Sequence, residues 1–196
     1  LLERHLLVPC LLIVSALALV ACGSGSSDTS QIEEAIETSA TTTDPGDCTT
    51  VQTQNFNEQA TQESGKAALK ACEKEAEEPH GQSKSAAVSK VEVEGSKATA
   101  DAALSGGNFD GQTVEVALVK DGDQWKVDEL TGFAKLDQAK VVEVFEREFA
   151  KPSSGVSKSL AACVSEGLGE ASQSEFEELL LAGSSTPIEE LAEACS

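Results

Sequence analysis

Methionine and tyrosine are absent from this 196-residue chain, tryptophan occurs once, and aromatic residues make up only 4% of it. Its core must therefore be built largely from alanine, valine and leucine. Histidine occurs twice. The one outside the N-terminal segment, His80, follows Pro79 in a loop-like stretch. It gives no pair for a zinc site and no base for Ser153, Ser154 or Ser157 to use as nucleophiles. Basic residues are scarce: 14 Lys and Arg against 34 Asp and Glu give a formal net charge of −20. Such a surface is repelled by nucleic acid and by anionic lipid, whose binding relies on basic patches, so nucleic acid is excluded as a partner. Long apolar runs are also missing, with one exception at residues 6–21, broken by Pro9, Cys10 and Ser15. About 16 residues fall short of the roughly 20 that a helix needs to span a bilayer.

That run suits the core of a secretory signal. It ends in Leu19-Val20-Ala21-Cys22, which resembles the lipobox of bacterial lipoproteins: an aliphatic residue, a tolerant position, a small residue and a cysteine. The resemblance implies a diacylglyceryl thioether on Cys22, cleavage before it, and a mature protein held outside the cytoplasm on the cell membrane. Positive charge ahead of the run is thin, with Arg4 offset by Glu3, and Leu1 reads as either an alternative start codon or a shortened gene. Losing Glu3 and Arg4 together leaves the net charge unchanged. Acyl chains at about 0.8 kcal/mol per buried methylene anchor such an acidic body without a basic patch. Residues 1–21 are thus expected as signal peptide, and "GSGSSDTS" after Cys22 as a flexible tether over residues 22–29.

Four cysteines remain once Cys10 leaves with the signal and Cys22 takes lipid: Cys48, Cys72, Cys163 and Cys195. Thiols outside the cytoplasm tend to pair. Of three formal pairings, Cys48 with Cys72 and Cys163 with Cys195 are favoured, because each pair lies within one compact helical region. Each closure would contribute about 3.5 kcal/mol by the chain-entropy argument. No CxxC occurs, so no metal site is expected.

Ser30 and Glu33 form a capping box ahead of Ile32 and Ile36, a short helix that "TTTDPGD" ends. Cys48, Val51, Phe56 and Gln59 lie near helical spacing. Ser64 is placed to cap another helix, on which Leu69, Cys72 and Ala76 share a face. The period then drops to two. "VEVEGSKATADAAL" and "TVEVALVKDGDQWKVDEL" read as two hairpins turning at Gly95-Ser96 and Asp121-Gly122, joined by "SGGNFDG". One face carries Val91, Val93, Val114, Val116, Leu118, Trp125 and Val127; the other carries Asp101, Glu115, Lys126 and Asp128. This predicts a four-stranded antiparallel meander.

The order of "DCTTVQTQNF", "GKAALKACEKE" and the strand holding Gly122, Trp125, Lys126 and Val127 resembles the nuclear-transport-factor-2-like superfamily, as found in actinobacterial lipoproteins. The resemblance covers residues 30–135. It implies an α+β fold in which N-terminal helices pack on a curved sheet to form a cone with an apolar pocket. Residues 136–196 read as a small disulfide-linked helical module. Val141, Val142, Phe145 and Phe149 share one helix face ahead of Pro152; Leu160, Cys163 and Val164 share another. Ser172 to Glu175 is a capping box and Gly183 a helix stop. Thr186 and Pro187 open the last helix, which carries Ile188, Leu191 and Cys195.

Enzymes of that superfamily use a histidine or buried carboxylate inside the pocket. Here His80 sits in a loop and the strand carboxylates alternate away from the interior, so no catalytic residue carries over and no enzyme is expected. The glutamate clusters read as helix surface, since calcium requires oxygens converging from a shaped loop. Gly106-Gly107 lacks the lysine of a phosphate loop, so no cofactor is expected. Trp125 reads as sheet core. The composite expectation is a lipid-anchored, non-catalytic interaction module of the cell envelope, whose partner is an envelope protein. A carrier or sensor of a small apolar ligand is the alternative.

Overall fold

A computed structural model describes residues 24–78, 80–151, 155–181 and 186–195. The signal segment, Cys22, Pro79, Pro152, Ser153, Ser154 and Gly183 lie outside the described residues. Among the described residues the fold is α+β: four helices, a four-stranded sheet, then four more helices. Strands β1 (Ser85–Glu94), β2 (Lys97–Ser105), β3 (Thr113–Asp121) and β4 (Gln124–Lys135) form an antiparallel sheet in chain order.

Alternation sets the faces. Ala98, Ala100 and Ala102 of β2 are buried, as are Val114, Val116 and Leu118 of β3 and Trp125 and Val127 of β4. Asp101 and Glu115 pair across β2 and β3 on the opposite face. The β1–β2 turn is Gly95-Ser96, as expected. The β3–β4 turn falls one residue later than expected, at Gly122-Asp123, because Asp121 still pairs with Gln124. Val93, expected in the core, is 40% exposed. It pairs with Ala98 next to the hairpin turn, beyond a bulge where Lys90 takes a left-handed φ of 52°.

Helix α1 (Ser24–Thr41) crosses the inner face of the sheet, packing against β1, β2 and β4. Ile32, Ala35 and Ile36, at i, i+3 and i+4, are almost fully buried in the same cluster as the sheet residues. Each isoleucine contributes about 1.5–3 kcal/mol of burial. The row of alanines on β2 leaves room for this helix.

The helix also corrects two expectations. It begins inside the segment expected as tether, and Ser30 is an interior residue of it, not a cap. Asp28 explains the extension: its Oδ1 accepts from Lys120 Nζ at 2.6 Å and from Trp125 Nε1 at 3.1 Å. That tie fixes the N-terminal end of α1 over the β3–β4 hairpin.

Helices α2 (Asp47–Thr50), α3 (Gln54–Thr61) and α4 (Lys66–Glu77) follow, the last joined to α2 by the Cys48–Cys72 disulfide. The near-helical spacing through 48–59 is broken at residues 51–53, where the backbone pairs with β4 instead: Val127 N–H donates to Val51 O and Thr53 N–H to Val127 O, both at 2.9 Å. Thr53 then caps α3, accepting from Phe56 N–H at 3.2 Å. Ser64 does not cap α4; Gly65, at φ 56°, occupies that position.

Beyond β4 come α5 (Gln138–Phe149), α6 (Lys158–Glu170), α7 (Gln173–Leu181) and α8 (Thr186–Ala194), with Cys163–Cys195 linking α6 to the end of α8. Asp137 and Ser157 cap α5 and α6. The capping box before α7 is present: Ser172 N–H donates to Glu175 Oε2 at 2.9 Å and Glu175 N–H to Ser172 Oγ at 3.3 Å. Val141, Val164, Leu168, Phe176 and Leu179 form a second core. It meets the first at Phe109 and Phe133, whose ring centroids are 6.3 Å apart.

Candidate ligand pocket

Between α1, the sheet and the end of α7 lies an apolar cleft of about 190 Å³. Its floor is the inner face of the sheet, through Ala102, Val114, Val116 and Val127, all buried. Ile36 descends from α1 and Phe56 from α3. Leu104, Phe109, Leu130 and Phe133 line the side toward the second core. The partly exposed residues Ser39, Gln82, Ser83, Leu180 and Leu181 form its rim.

Local chemistry explains how the rim is held. The loop between β2 and β3 closes on residues 81–83, with Asn108 N–H donating to Gly81 O at 2.7 Å. A Cβ at Gly107, whose φ is 70°, would lie 2.3 Å from Gln82 O, so only glycine permits this approach. On the opposite side, Gln59 substitutes for a strand neighbour along the edge of β4. Its Oε1 accepts from Leu130 N–H at 2.8 Å. Its Nε2 donates to Leu130 O and Leu181 O, both at 2.9 Å, and so ties the end of α7 to the sheet. Gln112, 1% exposed, accepts from Asp137 N–H at 2.6 Å and anchors the start of α5 below the cleft.

None of the lining side chains is ionisable. Asp101 turns outward to Lys90 Nζ at 2.8 Å. Asp128 Oδ1 accepts from Thr53 Oγ1 at 2.7 Å, and Glu115 stands over Gly132 on the outer face. His80 is exposed. Carboxylates with shifted acidity all lie elsewhere. The ammonium of Lys120, then the Trp125 indole, holds the Asp28 carboxyl below its usual range. Asp110 is lowered by Lys140, 2.7 Å away, and by the Gly106 N–H. Burial raises the Glu75 carboxyl. Among the described residues, no group of three or more His, Cys, Asp or Glu is gathered so as to hold a metal ion, and no helix is long and apolar enough to cross a membrane.

The cysteines expected to matter thus have structural positions. Cys48, Cys72, Cys163 and Cys195 form the two favoured pairs, and none of them lines the cleft. Cys22 is outside the described residues. The alternation of β2, β3 and β4 announced the floor of the cleft in the sequence. Gln59 read only as a position near helical spacing, because its partners Leu130 and Leu181 lie far along the chain. Ser39 gave no signal, because its partner Gln52 lies across the turn that ends α1. No family model, curated protein or solved structure matches this chain.

Proposed function

We propose that this protein is a lipid-anchored binding protein of the cell envelope, tied to the membrane through Cys22, that holds a small apolar ligand in the cleft of a nuclear-transport-factor-2-like body. One observation carries the ligand assignment: the two-layer interior is unfilled where α1, the sheet and α7 meet, and the unfilled space is apolar on nearly every side. Binding sites for small molecules are concave and mostly apolar with few polar groups. A helix lying across one face of the sheet, with a cleft beneath it, supports the family likeness. Two disulfides suit an oxidising compartment.

The competing role, docking of an envelope protein on an apolar face, has less behind it. Among the described residues Val93 is the one large hydrophobic side chain that stands exposed, and a single such residue makes no patch. A carrier or sensor, without bond-making chemistry, is the role that an uncharged lining suits.

Thermal unfolding of the mature protein with benzene, toluene and indole tests this reading. Ligand at 100 times its dissociation constant adds about 2.7 kcal/mol of stability, and Ala102→Leu, which fills the floor, abolishes the increment. No stabilisation by any of the three would contradict it. Membrane fractionation of Cys22→Ala tests the anchor separately: the variant is expected in the soluble fraction, and its retention on membranes would refute the lipid attachment.

A further inference from the structure

The cleft has one polar corner. Ser39 lines it from α1, and its Oγ accepts a hydrogen bond from Gln52 Nε2 at 3.0 Å. Gln52 is 6% exposed and fixed in place, since it bridges Val127 while the backbones of Val51 and Thr53 bond to that same residue. A hydroxyl that accepts from a fixed amide retains its own proton for another partner. Ser83 and Gln82 also stand on the rim, the Gln82 amide donating to Glu75 O at 3.5 Å.

Two further properties narrow what enters. With no ionisable side chain in the lining, an ion would lose its hydration without gaining a counter-charge. A volume of about 190 Å³ is only a little larger than the roughly 150 Å³ cavity that admits benzene. It covers a single ring or a short branched chain, and a long acyl chain would leave most of its length in water.

We infer that the ligand is a neutral, ring-sized apolar molecule carrying one oxygen that accepts the Ser39 proton: an aromatic alcohol or ketone rather than a hydrocarbon, a carboxylate or a lipid chain. This deepens the ligand-binding reading above and rests on it.

Phenol and toluene, which differ by hydroxyl against methyl, separate the two claims when titrated into mature wild-type protein and Ser39→Ala, with benzoate and 1-decanol alongside. Phenol is expected to bind the wild type and to lose about five- to tenfold in affinity with Ser39→Ala, the size of one neutral hydrogen bond. Toluene affinity stays unchanged, which also shows that the variant is folded. Benzoate and 1-decanol bind at least tenfold more weakly than phenol. Equal losses for phenol and toluene, no loss for phenol, or a preference for benzoate or 1-decanol would overturn the inference while leaving a ligand-binding cleft. Failure of both phenol and toluene to bind the wild type would remove the ligand-binding reading itself.

Discussion

The two cores of this protein are built on opposite plans. Under α1 the sheet presents alanine and valine, and the layer is held by a strand ladder whose register leaves little freedom. In the C-terminal helices the buried contacts come from a few large side chains: Phe176 and Leu168, fully buried, with Phe145 and Phe149 stacked at 5.8 Å beside them. Short helices have no ladder to their neighbours, so each must be held by side-chain packing or by a covalent link. The Cys163–Cys195 bridge provides that link between the first and last helices of the C-terminal trio α6–α8. The few aromatic residues are shared between the two: Phe145, Phe149 and Phe176 pack the C-terminal helices, while Phe56, Trp125 and Phe133 pack in the sheet core.

If this contrast holds, Phe176→Ala should have the largest effect. Removing a fully buried phenylalanine costs about 3–5 kcal/mol. Hydrogen exchange should show α5–α8 losing protection while β2 and β3 keep theirs; loss of both together would merge the two cores into one cooperative unit. Next comes the double variant Cys163→Ser/Cys195→Ser, expected to lose about 3.5 kcal/mol in urea unfolding, again confined to the helices. The corresponding change at Cys48 and Cys72 should loosen α2 and α4 instead.

The sheet side is sharpened by Ala100→Leu. Ala100 is 3% exposed beneath α1, and overpacking costs about 1–3 kcal/mol. The loss should appear in α1 and the sheet, and a neutral result would mean that the alanine row is not what lets α1 approach. The smallest effect is expected from Asp28→Asn, through its pH dependence. The folded-state acidity of Asp28 is lowered by Lys120 and Trp125. Its contribution is therefore fully present above the unfolded value, about 4, and disappears as pH falls through the folded value. The stability gap between wild type and variant should narrow from pH 6 to pH 3 in urea titrations; a constant gap would refute the role of that carboxylate.

These contacts also explain how far the sequence could be read. Strict alternation and the glycines at 95 and 122 made the meander plain, and the i, i+4 isoleucines marked the buried face of α1. The start of α1 was hidden because "GSGSSDTS" has linker composition, while Asp28 finds its partners about 92 and 97 residues away. The break at 51–53 was hidden for a similar reason, since its backbone pairs with Val127 across the fold. The cleft falls between these cases. Its floor follows from strand periodicity, but its rim depends on Gln59 reaching Leu181 and on residues 81–83 meeting the 105–111 loop. Neither contact leaves a local pattern.

Methyl-resolved NMR of valine- and leucine-labelled mature protein, titrated with phenol, tests the central claim most directly. Perturbations should gather on Leu104, Val114, Val116, Leu130 and Leu180, which surround the cleft. Saturating phenol that leaves these methyls unmoved, or that perturbs only the exposed Val93, would contradict the account.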